Sequence, residues 1–173
     1  MTNVIDCFIQ RNIVSKKDVE RIQEAKISKE PLHHIVIRSG LASEDDYLEV
    51  LSQEYGYTQL DDIPGGFQPE QFSHISSLFM DEHSFMPLEA TAQDVKLVVN
   101  DPFDHLVFDT VKKLFPGKTV VFYVARKEKI KDWIQASFSH EHEGDTQESE
   151  WADEALQTGY GLEDVEHLRD LAS

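Results

Sequence analysis

The 173 residues hold a single cysteine, Cys7, and therefore no intrachain disulfide framework and no Cys-based zinc site, which fits a reducing cytoplasm. Basic residues are also short: 16 Lys and Arg stand against 33 Asp and Glu, for a formal net charge of -17. The excess is uneven, since Ser137 to Ser173 carries eleven acids and only Arg169 as a base, leaving -7 on residues 1–136. A phosphate backbone is repelled by such a chain, so nucleic acid is excluded as a partner. No apolar run is long enough to span a bilayer. The opening MTNVIDCFIQRNIVSKKDVE has neither the basic region nor the apolar core of a secretory signal. Direct membrane insertion is not expected, and any link to a membrane passes through a partner.

Catalytic patterns are missing as well. Neither a Gly-x-Ser-x-Gly elbow nor a Cys/His pair in a defined context occurs, and Cys7 sits in an apolar stripe with Val4, Phe8 and Ile9, where a buried structural thiol is expected. Gly117-Lys118-Thr119 ends like a phosphate-binding loop, but Lys112 occupies the position where the loop needs its first glycine. A helix is expected before it and a strand after it, so it reads as a helix-to-strand turn. Paired carboxylates such as Asp45-Asp46 and Asp61-Asp62 are too common in an acidic chain to mark a site. His140-Glu141-His142-Glu143 lacks the spacing and support of a metal centre. His33 and His34 read as surface or interface residues. No catalytic residue, metal ligand or resident cofactor is assigned.

What is present is an ordinary core and a repeat. Hydrophobic residues make up 40% and aromatics 10% of the chain, ten of them Phe, enough for a packed interior. VIDCFIQRNIVSKKDV (4–19) overlays LHHIVIRSGLASEDDY (32–47) at a constant offset of 28, pairing Cys7 with Ile35, Ile13 with Leu41, Ser15 with Ser43 and Asp18 with Asp46. Two copies of a helix-turn-helix unit follow. Ser15 and Ser43, each with an acid three residues on, are expected helix N-caps. Tyr47, Val50, Leu51 and Tyr55 form one buried stripe, and Gly56 fits a left-handed C-cap.

Pro64, Gly65, Gly66 and Pro69 mark a connection. Beyond it a helix is expected over Glu70–Glu82 with Phe72, Ile75, Leu78 and Phe79 inward. Then come strands in SFMPLEA and VKLVVN, a helix over His105–Phe115, a strand VVFYVA buried on both faces, and a helix over Lys127–Phe138. In Asn100-Asp101-Pro102-Phe103-Asp104, Pro102 fixes a turn and Asp104 caps the following helix. The fold class is α+β: a helical repeat subdomain (1–60), a β-β-α-β-α subdomain (67–138), an acidic flexible linker (139–161) and the start of a further helix (162–173).

Taken in order, the repeat ending in GLASEDDYLEVLSQEYGY, HSFMPLEA with VKLVVNDPFD, VVFYVARKEKIKDWI and the terminal EDVEHLRDLAS resemble the N-terminal region of general secretion pathway protein E and of type IV pilus assembly ATPases. The resemblance covers nearly the whole chain. It implies an N-terminal fragment of a hexameric ATPase, with ATP and Mg confined to a downstream region, docked on the cytoplasmic domain of an inner-membrane platform protein. The location implied is cytoplasmic and peripheral to that membrane. Docking candidates are Val4, Phe8, Ile9, Leu32, Ile35 and Val36. Some relatives bind cyclic di-guanylate through an Arg-Leu-Gly tripeptide heading each repeat copy. Here those positions are Asn3-Val4-Ile5 and Pro31-Leu32-His33, without the arginines or glycines that would stack on guanine and admit the backbone closely. Leu32 and Gly40 are the surviving candidates for such a ligand.

Overall fold

The computed structural model describes residues 2–138, and the expected linker and final helix at 139–173 lie outside the described residues. Four helices open the chain: α1 (Val4–Gln10), α2 (Lys16–Ala25), α3 (Leu32–Arg38) and α4 (Glu44–Tyr55). The repeat expected from sequence is visible in the backbone. Asn12 and Gly40, 28 residues apart, both take left-handed dihedrals, with φ of 56° and 78°. The turn hydrogen bonds recur with them: Ile13 N–H donates to Phe8 C=O at 2.9 Å and Leu41 N–H to Val36 C=O at 3.2 Å. Only a residue tolerant of positive φ closes such a turn, which is why one copy uses Asn and the other Gly.

The caps also stand where the pattern placed them. Ser15 Oγ accepts from Asp18 N–H, and Ser43 with Asp46 forms a reciprocal capping box. Gly56 ends α4 with φ 75°. Phe8, Val36, Val50 and Leu51 are wholly buried between the repeat units, so this half is held by interlocked apolar faces rather than by helix propensity.

The second half is built on a four-stranded sheet in the order β1-β4-β3-β2, with β1 (Thr58–Gln59), β2 (Phe85–Ala90), β3 (Asp94–Val99) and β4 (Thr119–Val124). β2 and β3 form an antiparallel hairpin with a register shift between Pro87 and Glu89. Pro87 is tolerated because β2 is an edge strand. β3 and β4 run parallel, joined through α6 (His105–Leu114), and α7 (Lys127–Phe138) follows β4. This is the expected α+β class with a β-β-α-β-α core. Met1–Ala136 gathers into one compact unit, within which the segments 1–60 and 67–136 both fall.

Three local expectations are corrected. Thr58–Gln59, unassigned from sequence, pairs with Tyr123 and Val124 and adds a parallel edge strand to the sheet. The helix expected over Glu70–Glu82 is instead a 3-10 turn (Pro69–Phe72) and a separate α5 (Ser77–Glu82). The cause is Ser76, whose hydroxyl caps Phe79 N–H and starts a new helix, leaving Phe72 and Ile75 buried but Leu78 exposed. Finally, β4 is not the strand buried on both faces. Only Val124 of β4 is fully buried, whereas β3 buries Val95, Leu97, Val98 and Val99. β1 is two residues long and screens only the end of β4.

Candidate functional site

Two features meet where the helical repeat abuts the sheet. The first is a side-chain hub on Asp101, in the turn between β3 and α6. Asp101 Oδ2 accepts from His33 Nε2 at 3.2 Å and from His34 Nε2 at 2.6 Å. Its Oδ1 accepts from the Tyr47 hydroxyl at 2.8 Å and from Phe103 N–H at 2.9 Å. The Asp101 side chain is 10% exposed. Burial opposes its ionisation, but hydrogen bonds from His33, His34 and Phe103 N–H outweigh that and hold the carboxyl well below its usual range. The Asp101 hydrogen bond raises the pKa of His34 against a smaller opposing effect of burial. Burial first, and then the Asp101 charge, push the Tyr47 phenol far up, so it stays a neutral donor.

A second junction lies beside it. Glu44, the first residue of α4, accepts from Asn100 Nδ2 and from Lys127 N–H, both at 2.7 Å, and Arg126 pairs with Asp45 at 2.6 Å. Asp104 caps α6 as expected, through Leu106 N–H at 3.0 Å, and its other oxygen meets His83 Nδ1 at 2.9 Å. The turn thus does more than the capping assigned to it from sequence. From sequence, Asp101 has no role beyond its place in the Asn100–Asp104 turn, and His33 and His34 read as surface or interface residues. His33 is in fact 12% exposed, stacked on Tyr47 with ring centroids 5.2 Å apart, and His34 is 39% exposed. A histidine pair on the face of α3 opposite an aspartate 67 residues later carries no local signal; only the fold unites them.

The second feature is a groove of about 570 Å³ at the heads of the two repeat copies. Asn3, Val4 and Ile5 of the first copy and Leu32 and His33 of the second line it, together with Phe103. Of the docking candidates, Ile9 and Leu32 are half-buried and face this groove, and Ile35 is half-buried elsewhere on α3. Val4, Phe8 and Val36 are corrected to core: their exposures are 5%, 0% and 0%, so they pack α1 and α3 and offer a partner little or nothing. Gly40 closes the turn after α3 and does not line the groove. Cys7 is buried as expected, and burial raises its thiol pKa. Gly117, at φ 79°, makes the turn into β4, so Gly117-Lys118-Thr119 precedes a strand and not the helix that a phosphate loop requires.

Comparison with known proteins places this geometry. The family model of the MshEN domain matches residues 55–144. The chain belongs to the MshEN domain family. The matched part starts at the end of α4 and takes in the whole sheet, so the repeat itself lies ahead of it. The structure of MshE with cdg superposes with a TM-score of 0.65 at 16% identity, over 80% of this chain and 100% of that one. The N-terminal domain of XpsE superposes with a TM-score of 0.60 at 22% identity, over 78% of this chain and 92% of that one. No curated protein matches the sequence. The fold is therefore shared, and the resemblance to the N-terminal regions of type II secretion and type IV pilus assembly ATPases holds. Among the described residues no helix is long and apolar enough to cross a membrane.

Proposed function

We propose that this MshEN-family chain is the N-terminal docking and regulatory module of a secretion or pilus-assembly ATPase, binding the cytoplasmic domain of an inner-membrane platform protein. The groove at the heads of the repeat carries this reading. Its apolar residues Ile5, Ile9 and Leu32 are half-buried and still reachable, while Asp6 and Glu20 stand among its lining against Lys16. That combination suits a partner helix with apolar anchors flanked by basic residues. On this reading the ATP and Mg chemistry belongs to a downstream region and the module supplies position.

The test is a calorimetric titration of the full chain against the cytoplasmic domain of the platform protein encoded beside it. Saturable binding, weakened at least about tenfold by Ile9→Asp or Leu32→Asp, is the expected result. No heat at high micromolar concentration from a folded sample refutes it.

One observation favours a second reading, a sensor of cyclic di-guanylate. The two tripeptides that head the repeat copies converge on the same groove, and MshE, of the same fold, was solved with cdg. Against it, the groove offers Lys16 and His33 to a ligand with two phosphates and sets Asp6 and Glu20 beside them. A melting curve unchanged by saturating cyclic di-guanylate removes this reading.

A further inference from the structure

We propose that His33, His34 and Asp101 form a binding site for a divalent transition-metal ion of the zinc class, one that fastens the helical repeat to the sheet. One ligand atom from each residue lies within 4.8 Å of the other two. A tetrahedral ion with nitrogen and oxygen ligands at about 2.0–2.2 Å holds neighbouring ligand atoms roughly 3.3–3.5 Å apart. His33 Nε2 and Asp101 Oδ2 already stand at 3.2 Å, and the 2.6 Å between His34 Nε2 and the same oxygen needs only a small opening. The histidines are neighbours on α3, with rings 72° apart and centroids 4.5 Å apart, so they meet edge to face instead of stacking, and both Nε2 atoms reach the same Asp101 oxygen.

The surroundings support a cation. Asp101 Oδ1 is held by the Tyr47 hydroxyl and Phe103 N–H, which fixes the carboxylate and leaves Oδ2 to the ion. A cavity of about 640 Å³ opens beside His34 and Asp101, and its lining counts six carboxylates against two cations, Arg38 and Lys127. That cavity concentrates cations and has room for the water that completes a three-ligand site. Two imidazole nitrogens select zinc, cobalt, nickel or copper over magnesium and calcium, which prefer oxygen. Binding exchanges the imidazole N–H bonds to Asp101 for bonds from the two imidazole lone pairs to the ion, with release of any proton beyond the neutral tautomers.

The test uses the full chain carrying His140→Gln and His142→Gln, because the His140-Glu141-His142-Glu143 segment offers ligands of its own. Zn²⁺ is titrated by competition with a chromophoric chelator, and Co²⁺ by its visible spectrum. One Zn²⁺ per chain is expected, with tetrahedral Co²⁺ bands. His34→Gln and His33→Gln should each weaken binding at least about 100-fold, as loss of a ligand exceeds the 10- to 100-fold cost of losing a supporting partner. Free Zn²⁺ at about 100 times its dissociation constant should raise Tm by roughly 5–10 °C in the parent, and not in His34→Gln. Melting in EDTA shows whether each variant is folded; His34 is partly exposed, so His34→Gln keeps the fold even if His33→Gln does not. Stoichiometric zinc unaffected by His34→Gln, or its absence from the folded parent at saturating micromolar metal, overturns the site.

Discussion

Replacing Asp101 by alanine tests whether the hub holds the repeat against the sheet. The substitution strips Tyr47, which is 1% exposed, of the acceptor for its hydroxyl, and Phe103 N–H of its side-chain partner. An orphaned buried donor costs about 1–3 kcal/mol, and breaking a buried charge pair costs about 3–5 kcal/mol. The His34 part is discounted because that ring is 39% exposed and water screens it. The expected loss for Asp101→Ala is about 3–5 kcal/mol, near the lower end if a water replaces the carboxylate.

The pH dependence sharpens the test. His34 has a folded pKa raised above its ordinary 6.5, so its contribution is complete below 6.5 and is lost as pH rises through the raised value. Asp101 has a folded pKa depressed below 3.8, so its contribution is present above 3.8 and is lost as pH falls through the depressed value. Both are in force together between 3.8 and 6.5. Urea unfolding of the metal-free chain at about pH 5.5 and about pH 8.5 should therefore show the Asp101→Ala penalty shrinking at the higher pH, by the part that His34 supplies. A penalty below about 1 kcal/mol, or one that does not change with pH, refutes the hub as described.

Three further perturbations probe the scaffold by the same unfolding assay. Ser43→Ala removes the capping box at α4 and should cost about 1 kcal/mol. Gly40→Ala forces a Cβ into φ 78° and should cost about 1–2 kcal/mol, whereas Gly40→Asn should cost less, since Asn12 closes the equivalent turn in the first copy. Phe8→Ala opens a wholly buried site under both repeat units and should cost about 3–5 kcal/mol.

Much of the scaffold was legible in the sequence because its signals are local. Capping serines with an acid three residues on, an αL glycine after α4 and β-branched runs each act within a few residues of where they are read, and the repeat states the same local pattern twice. Failures came where a distant partner decides. Thr58–Gln59 has no strand signature of its own and becomes β1 only because Tyr123 and Val124 offer a free edge. The 70–82 segment has helical spacing, but the burial of Phe72 and Ile75 and the Ser76 cap divide it. The site was the least legible part. Val4, Phe8 and Val36 stand among the docking candidates from sequence because an apolar stripe does not say which of its two sides another helix covers. The Asp101 hub spans 54 to 68 residues of chain and leaves no periodic trace.

Hub and groove are one mechanical system, and the linkage is readable atom by atom. His33 lines the groove and donates to Asp101, and Phe103, which also lines it, donates its backbone N–H to the other oxygen of the same carboxylate. Phe103 also packs edge-on to His33 at 6.2 Å and to Tyr55 at 5.2 Å between ring centroids. Two residues that line the groove are therefore held by the one carboxylate. If a partner docks in the groove against His33 or Phe103, as proposed above, loss of the Asp101 carboxylate weakens that docking, and by reciprocity docking stabilises the hub.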